Sequence, residues 1–312
     1  MLRTTLLCTT MCSSLAMALA AGNEANSLKT AMPLGPPSHF DELRVGPYEL
    51  SFSRTNALDG SDMAFEVQRM ALRPTSFYLR GLLSEAECDH LIAAADRRQQ
   101  ALPAGDSRSG CTVAWLDAQQ DPVVSELAAV VGALLLTPEI RDPGGWGQGG
   151  GFENLQVLRY RAGGEFLIHH DANEDTPRTL SLLLYLNGKG ETWFPLATAD
   201  PSLAASADPR LPSVAQDPRS RVAELQACER LVPGRDGLLV APCKGDAVAF
   251  FNFVGDGSGA LDRFAFHAGL PAKEEKVVAA LWYSLGEGCI SAGETERACE
   301  RVTSCESQRP GR

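Results

Sequence analysis

The chain has 312 residues, 44% of them hydrophobic and 21% charged, proportions that exclude a disordered polymer and leave room for one large domain or two. Its formal net charge of −11 argues against capture of nucleic acid or anionic lipid, since both call for a basic face. Neutral or basic partners are expected.

In chain order, residues 1–20 come first. Arg3 precedes an apolar run from Thr5 to Ala20 that ends in Ala18-Leu19-Ala20, the three parts of a secretory signal peptide cleaved after Ala20. Threonines, serines and cysteines dilute this run below the ~20 strongly apolar residues of a membrane span, although an uncleaved signal anchor is the alternative. No later stretch is long and apolar enough to span. The segment predicts the secretory pathway, with the protein in the endoplasmic reticulum lumen or secreted. Cleavage leaves seven cysteines, Cys88, Cys111, Cys228, Cys243, Cys289, Cys299 and Cys305. In an oxidising lumen some should pair, and the last three lie in a polar tail, residues 286–312, that a disulfide would order. Zinc is disfavoured, because no C-x-x-C pair is present.

Residues 21–64 are rich in Pro, Gly, Ser and Asn without a sustained period, which predicts a linker or loosely ordered arm. Residues 65–150 are expected to form a helical support region. Within it, Phe77-Tyr78-Leu79 reads as a short strand. Leu83 then precedes Ser84-Glu85-Ala86-Glu87, a capping box that should open a helix running to about Arg98. The apolar residues Cys88, Leu91, Ile92 and Ala95 recur at helical spacing and give it one buried face. Asp121 as N-cap and Pro122 at the first helical position signal a second helix, through Val130, Val131 and Leu134 to Leu136, stopped by Thr137-Pro138. The glycines from Gly144 to Gly151 predict a mobile loop. It is not a phosphate loop, lacking the Gly-Lys-Ser/Thr ending.

From Asn154 the pattern changes to short apolar runs between turn residues. They are Leu155–Tyr160, Phe166–His169, Thr179–Leu186, Thr192–Phe194, Gly237–Val240, Ala247–Phe253, Arg263–His267 and Lys276–Tyr283. Such spacing predicts a β-sandwich or barrel. Following two helices, it points to a mainly β fold with supporting helices, a double-sheet jelly roll over residues 151–285. The Pro-, Ala-, Ser- and Asp-rich stretch 197–235 is expected to be an insertion loop, being too long for an ordinary hairpin.

The chemistry gathers in this second half. His169-His170-Asp171 ends a strand-like run, and alternation puts residues 169 and 171 on one face with 170 on the other. His170 competes with His169 as a ligand if a local bulge reverses the faces. His267 ends the Arg263–Phe266 run in a similar position. Two histidines and one carboxylate on one face of an octahedron leave open positions, the arrangement of non-haem iron(II) oxygenases. Lys276 follows nine residues after His267 on the expected next strand, where it can point inward and meet the far carboxylate of 2-oxoglutarate as a point charge. The alternative is a solvated surface lysine, as expected for Lys273. The apolar neighbours Val277 to Leu281 favour burial. Neither a Gly-x-Ser-x-Gly elbow nor a Cys-His signature marks a nucleophile.

These residues carry a family resemblance. Tyr160-Arg161-Ala162-Gly163-Gly164-Glu165-Phe166-Leu167-Ile168-His169-His170-Asp171 resembles the Tyr-x-x-Gly-x-x-Tyr-x-x-His-x-Asp signature of prolyl 4-hydroxylases, with Phe166 for the second tyrosine. Arg178 to Asn187, then Gly190-Glu191-Thr192-Trp193-Phe194-Pro195, is similar to the next strand and the Gly-Gly-Glu-Thr-x-Phe segment, with Lys189 for the first glycine. Pro242 to Ala247, Phe250-Phe251-Asn252, His267-Ala268-Gly269-Leu270-Pro271 and Glu275-Lys276 complete the order. The resemblance runs from about Phe77 to Trp282.

The resemblance implies a double-stranded β-helix, iron(II) on His169, Asp171 and His267, and 2-oxoglutarate on Lys276, with Tyr160 and Thr192 as its hydrogen-bonding partners. It implies O2 and L-ascorbate as further requirements and a proline-rich or collagen-like polypeptide as substrate, with release of succinate and CO2. Arg178 and Trp282 become candidates for the substrate groove, against a surface salt bridge and a core aromatic as the plainer roles. The His267–Lys276 interval is one residue shorter than the family's, so the turn must tighten. Cys228 stands where the family has a cysteine, while Leu270 replaces its usual partner and leaves Cys243 as the substitute. Two rival functions remain: an oxygenase acting on another residue or a small molecule, and a catalytically silent jelly-roll binding module.

Overall fold

The sequence 276–284 converts directly into layers. In the computed structural model these residues form one strand in which Val277, Ala279, Leu281 and Tyr283 join one core cluster, while Lys276, Val278, Ala280 and Trp282 line a pocket on the opposite face. Strand geometry makes this division at every second residue. Both faces are buried, so the strand reads as a continuous apolar run rather than an alternating one. The same parity holds in the neighbouring run, where Leu180, Leu182 and Leu184 face the first cluster and Leu183 and Tyr185 the second.

The structure describes residues 49–117, 120–135, 151–172, 178–200, 228, 231–254 and 261–284. In chain order they form β1 (Glu49–Thr55), β2 (Asp62–Ala71), β3 (Ser76–Arg80), α1 (Glu85–Asp96), β4 (Gln100–Ala101), β5 (Arg108–Leu116) and α2 (Pro122–Leu135). There follow β6 (Gly151–Phe152), β7 (Leu155–His169), β8 (Arg178–Tyr185), β9 (Thr192–Phe194), β10 (Leu238–Val240), β11 (Ala247–Phe251), β12 (His267–Gly269) and β13 (Lys276–Ser284). All thirteen strands hydrogen-bond into one continuous sheet that folds over at β7 into two layers, and the larger layer runs β1-β2-β3-β11-β8-β13-β7, with β5 and β4 beyond β7 and β6 beside β13. The smaller runs from the far half of β7 through β12 and β9 to β10. Every pairing is antiparallel. This is the jelly roll expected from the sequence.

One cluster lies between the larger sheet and the two helices, joining Leu91 of α1 and Leu127 and Val131 of α2 to Val157, Leu184, Ala249 and Leu281. A second fills the space between the sheets and includes Leu158, Tyr185, Phe194 and Phe250. Ser84 caps α1 reciprocally with Glu87, as its capping box predicts. Asp121 Oδ1 accepts from Val123 N and Val124 N at the start of α2. Among the described residues, no helix is long and apolar enough to cross a membrane.

Several expectations need correction. Residues 49–64, assigned to the arm 21–64, form β1 and the start of β2, paired from Glu49↔Gln68 to Thr55↔Asp62. Arg54 anchors them: its Nη1 donates to Glu87 Oε1 at 3.0 Å and its Nε to Leu82 O at 2.7 Å, both buried. The support region 65–150 contains strands as well as helices. Leu155–Tyr160 and Phe166–His169 are one strand, β7, that bends between the sheets. The bend needs glycine, since a Cβ at Gly164 would lie 2.9 Å from both Arg161 O and Ser109 O. Of the run Arg263–His267 only His267 is in a strand, opening β12: residues 263–265 form a 3-10 turn whose cap, the Asp262 side chain, accepts from Phe264 N. Among the described cysteines, Cys88, Cys111 and Cys243 are free thiols, so no disulfide joins Cys243 to Cys228. Cys228 is buried beside Leu196, Phe264 and Phe266, and Cys243 is exposed. The signal segment, the glycines 144–150, most of the insertion 197–235 and the cysteine tail lie outside the described residues.

Candidate metal and cosubstrate site

Register brings the first two histidines together. His267 opens β12 opposite His169, the last residue of β7, and their ring centroids are 4.2 Å apart. Asp171 lies two residues beyond the end of β7. Its Oδ1 lies 3.4 Å from His169 Nε2 and 3.8 Å from His267 Nε2. The candidate ligand atoms of the three residues all fall within 4.8 Å of one another. His170 turns away, its ring edge-on to Phe266.

Hydrogen bonds aim these atoms. His169 Nδ1 contacts Leu167 O at 2.8 Å and His267 Nδ1 contacts Ala265 O at 3.0 Å. Each carbonyl keeps a proton on Nδ1 and leaves Nε2 as a lone pair facing Asp171. Asp171 Oδ2 accepts from Ser181 Oγ at 2.6 Å and Trp282 Nε1 at 3.0 Å, which leaves Oδ1 to face the histidines. Asn252 Nδ2 in turn donates to Ser181 Oγ at 2.8 Å. Phe166 stacks on His169 with centroids 3.6 Å apart and fixes the ring plane.

Burial pushes His267 down to about 4, helped by the neighbouring His169, so the imidazole is neutral at physiological pH. For Asp171, burial is the largest influence and opposes ionisation. His267, His169 and the Ser181 hydroxyl outweigh it and hold the carboxyl well below the usual range. A neutral His267 and an ionised Asp171 are protonation states that a divalent cation needs.

Lys276 lies in the same pocket. The tightened turn after β12 sets it opposite Tyr160 in register, only 3% exposed. Its Nζ reaches Glu191 O at 3.4 Å and stands 5.6 Å from the Tyr160 ring centre. Burial pushes its ammonium down to about 8. One long hydrogen bond leaves a buried cation under-satisfied, and an anion is what such a site accommodates. Room for the side chain comes from Gly190, where a Cβ would sit 2.3 Å from Lys276 Cδ.

Residues 155–284 match the family model described as the 2OG-Fe(II) oxygenase superfamily. The chain is 28% identical over 239 residues to prolyl 4-hydroxylase 2 of Arabidopsis thaliana, covering 70% of this chain and 69% of that protein. It is 27% identical over 237 residues to probable prolyl 4-hydroxylase 4 of the same plant, covering 70% of each. The chain is similar to prolyl 4-hydroxylase-like 2OG-Fe(II) oxygenases. Among solved structures, the 2OG complex of viral collagen prolyl hydroxylase vCPH from Paramecium Bursaria Chlorella virus-1 is 23% identical, with a TM-score of 0.43 over 67% of this chain and 96% of that one.

A 2-oxoglutarate-dependent dioxygenase uses iron(II) and 2-oxoglutarate, and the donor set fits both: nitrogen and oxygen ligands for the metal, a buried ammonium for the dicarboxylate. Thr192, 1% exposed, lines the pocket and accepts from Tyr185 OH at 2.9 Å, which leaves its own hydroxyl proton to donate. Tyr160 stands opposite Cys111 of β5 in register. Arg178 takes both plainer and groove-like positions, pairing with Glu153 at 2.7 Å while its guanidinium lies 3.6 Å from the Trp282 ring centre.

Sequence reasoning missed Ser181, Asn252, Tyr185 and Cys111. Ser181 had a usable signal, being the polar residue inside the apolar run Leu180–Tyr185 on the same parity as Tyr185. Cys111 had none, since β5 was not foreseen.

Proposed function

We propose that this oxygenase hydroxylates peptidyl proline at the 4-position in proline-rich or collagen-like chains, with iron(II) on His169, Asp171 and His267 and the distal carboxylate of 2-oxoglutarate on Lys276. The observation that carries the reading is the convergence of a two-histidine, one-carboxylate cluster and a nearly buried lysine on one pocket between the sheets. The named activity of the plant relatives supplies the substrate class.

Bound iron(II), 2-oxoglutarate and O2 supply the oxidising chemistry, in which one oxygen atom goes to the substrate carbon and the other to succinate as CO2 leaves. The protein's own residues hold and orient. Asp171 presents Oδ1 to the metal while Ser181 and Trp282 occupy Oδ2. Lys276, Thr192 and Tyr160 receive the cosubstrate, and Leu158, Phe250 and Val278 keep its chamber dry. The peptide would cross the mouth at Trp282, which carries Arg178 on its ring and has Trp115 at 6.3 Å. Trp115 is 42% exposed, and exposed aromatic rings suit a polyproline II chain. L-Ascorbate as a reductant, and residence in the endoplasmic reticulum lumen or outside the cell after cleavage of residues 1–20, belong to the same reading.

The test incubates the protein with iron(II), 2-oxoglutarate, ascorbate and a proline-rich peptide, following succinate and peptide mass. Succinate together with a gain of one oxygen on proline is expected. Succinate without peptide oxidation would sink the proline assignment and point to another residue or a small molecule.

A further inference from the structure

His170 is not among the gathered ligands, yet its ring is held at both nitrogens. Nδ1 lies 3.1 Å from both the amide nitrogen and the carbonyl oxygen of Ala172, and Nε2 meets Asp262 O at 3.0 Å. With a proton on Nε2 the ring donates to Asp262 O while Nδ1 accepts from Ala172 N. The Ala172 amide flanks Asp171, so the first bond fastens the chain that carries the carboxylate. Asp262 opens the 3-10 turn that leads to His267.

The second bond reaches His267 through that turn. Asp262 O accepts from Ala265 N at 2.9 Å as well as from His170. The next carbonyl in the path, Ala265 O, is the one that holds the proton on His267 Nδ1. Asp262 itself is 2% exposed and fixed from the far side by Arg73, whose Nη2 donates to Oδ1 at 2.8 Å. Phe266 closes over the His170 ring edge-on at 5.4 Å. A single side chain therefore ties the Asp171 segment to the His267 segment, on the side of the smaller sheet opposite the pocket.

We propose that His170 is a positioning residue for the metal centre, clasping the Asp171 and His267 segments at the spacing that a divalent cation requires. The role rests on the reading of His169, Asp171 and His267 as metal ligands. Groups that orient ligands without touching the metal commonly change affinity by roughly 10–100-fold when removed. A glutamine at 170 can place its amide nitrogen near the position of His170 Nε2 and donate to Asp262 O; alanine can do neither.

The experiment titrates cobalt(II) into the full chain and reads the ligand-field absorption bands, for wild type, His169→Ala, His170→Ala and His170→Gln, with circular dichroism to confirm folding. Wild type should bind, and His169→Ala should lose the bands. His170→Ala should weaken binding by roughly tenfold or more with altered band positions, while still turning over at saturating iron(II). His170→Gln should recover most of the affinity and the wild-type bands. If His170→Ala is unfolded, the glutamine variant alone decides, since loss of binding in a folded His170→Gln would overturn the clasp through Asp262. Equal affinity in His170→Ala and wild type overturns the role while leaving the metal site intact. A wild-type chain that binds no cobalt(II) overturns the metal-site reading, and this role with it.

Discussion

Lys276 has two properties that pull against each other: a side chain with three donors, and a pocket that offers it one carbonyl at 3.4 Å. A dicarboxylate resolves the conflict, because the anion restores the charged form that burial disfavours. Lys276→Ala should therefore raise the KM for 2-oxoglutarate by roughly 30-fold or more with the protein still folded; an unchanged KM would show that another cation serves. The pH dependence has a definite sign. With the ammonium at about 8, the free enzyme is ready for an anion below pH 8, and above it a proton must be taken up on binding. The KM for 2-oxoglutarate should stay flat below pH 8 and rise by up to roughly tenfold per pH unit above it. Lys276→Ala should abolish that slope, and a slope surviving in the variant would assign it elsewhere. Of these features, the lysine's inward direction was legible from its apolar neighbours. The single carbonyl facing it was not, because Glu191 reaches it through the turn between β8 and β9.

At the scale of elements, the strands that carry the site were the readable ones, since buried strands from β7 onward are long apolar runs bounded by turn residues. β1 was not readable. Glu49-Leu50-Ser51-Phe52-Ser53-Arg54-Thr55 alternates, but in a stretch dominated by turn-forming residues, and its pairing with β2 brings a charged side chain into the interior. Arg54 is tolerated there because Glu87, the capping-box residue of α1, neutralises it. One glutamate thus serves a helix N-terminus and an edge strand together. Breaking a buried ion pair from one side leaves the other charge uncompensated, so Arg54→Ala should cost about 3–5 kcal/mol in urea unfolding. A cost within about 0.5 kcal/mol of an ordinary surface change would return residues 49–55 to the loosely held arm. The misread turn at 263–265 has a similar cause: Arg263-Phe264-Ala265-Phe266 is strand-like in composition, and the cap from Asp262 that curls it is a tertiary choice, fixed by Arg73 from the β2–β3 connection.

Across the whole molecule, the metal site joins segments from both sheets, so occupancy should be read out as global stability. A ligand at about 100 times its Kd stabilises by about 2.7 kcal/mol, which for a domain of this size corresponds to a Tm increase of roughly 5–10 °C. Cobalt(II) with 2-oxoglutarate should raise the wild-type Tm by that amount, a chelator should reverse it, and His169→Ala should show neither effect. An equal rise in His169→Ala would place the stabilising ion elsewhere. By itself the sequence determined the jelly roll, the two capped helices, and the shared face of His169 and Asp171 with His170 turned away, because hydrophobic periodicity, caps and strand parity are local properties of consecutive residues. Only the tertiary structure decided that His267 pairs opposite His169, that Ser181 and Trp282 occupy one oxygen of Asp171, and that His170 spans to Asp262. Those contacts join residues far apart in the chain, and their register follows from burying two sheet faces together rather than from any pattern within one strand.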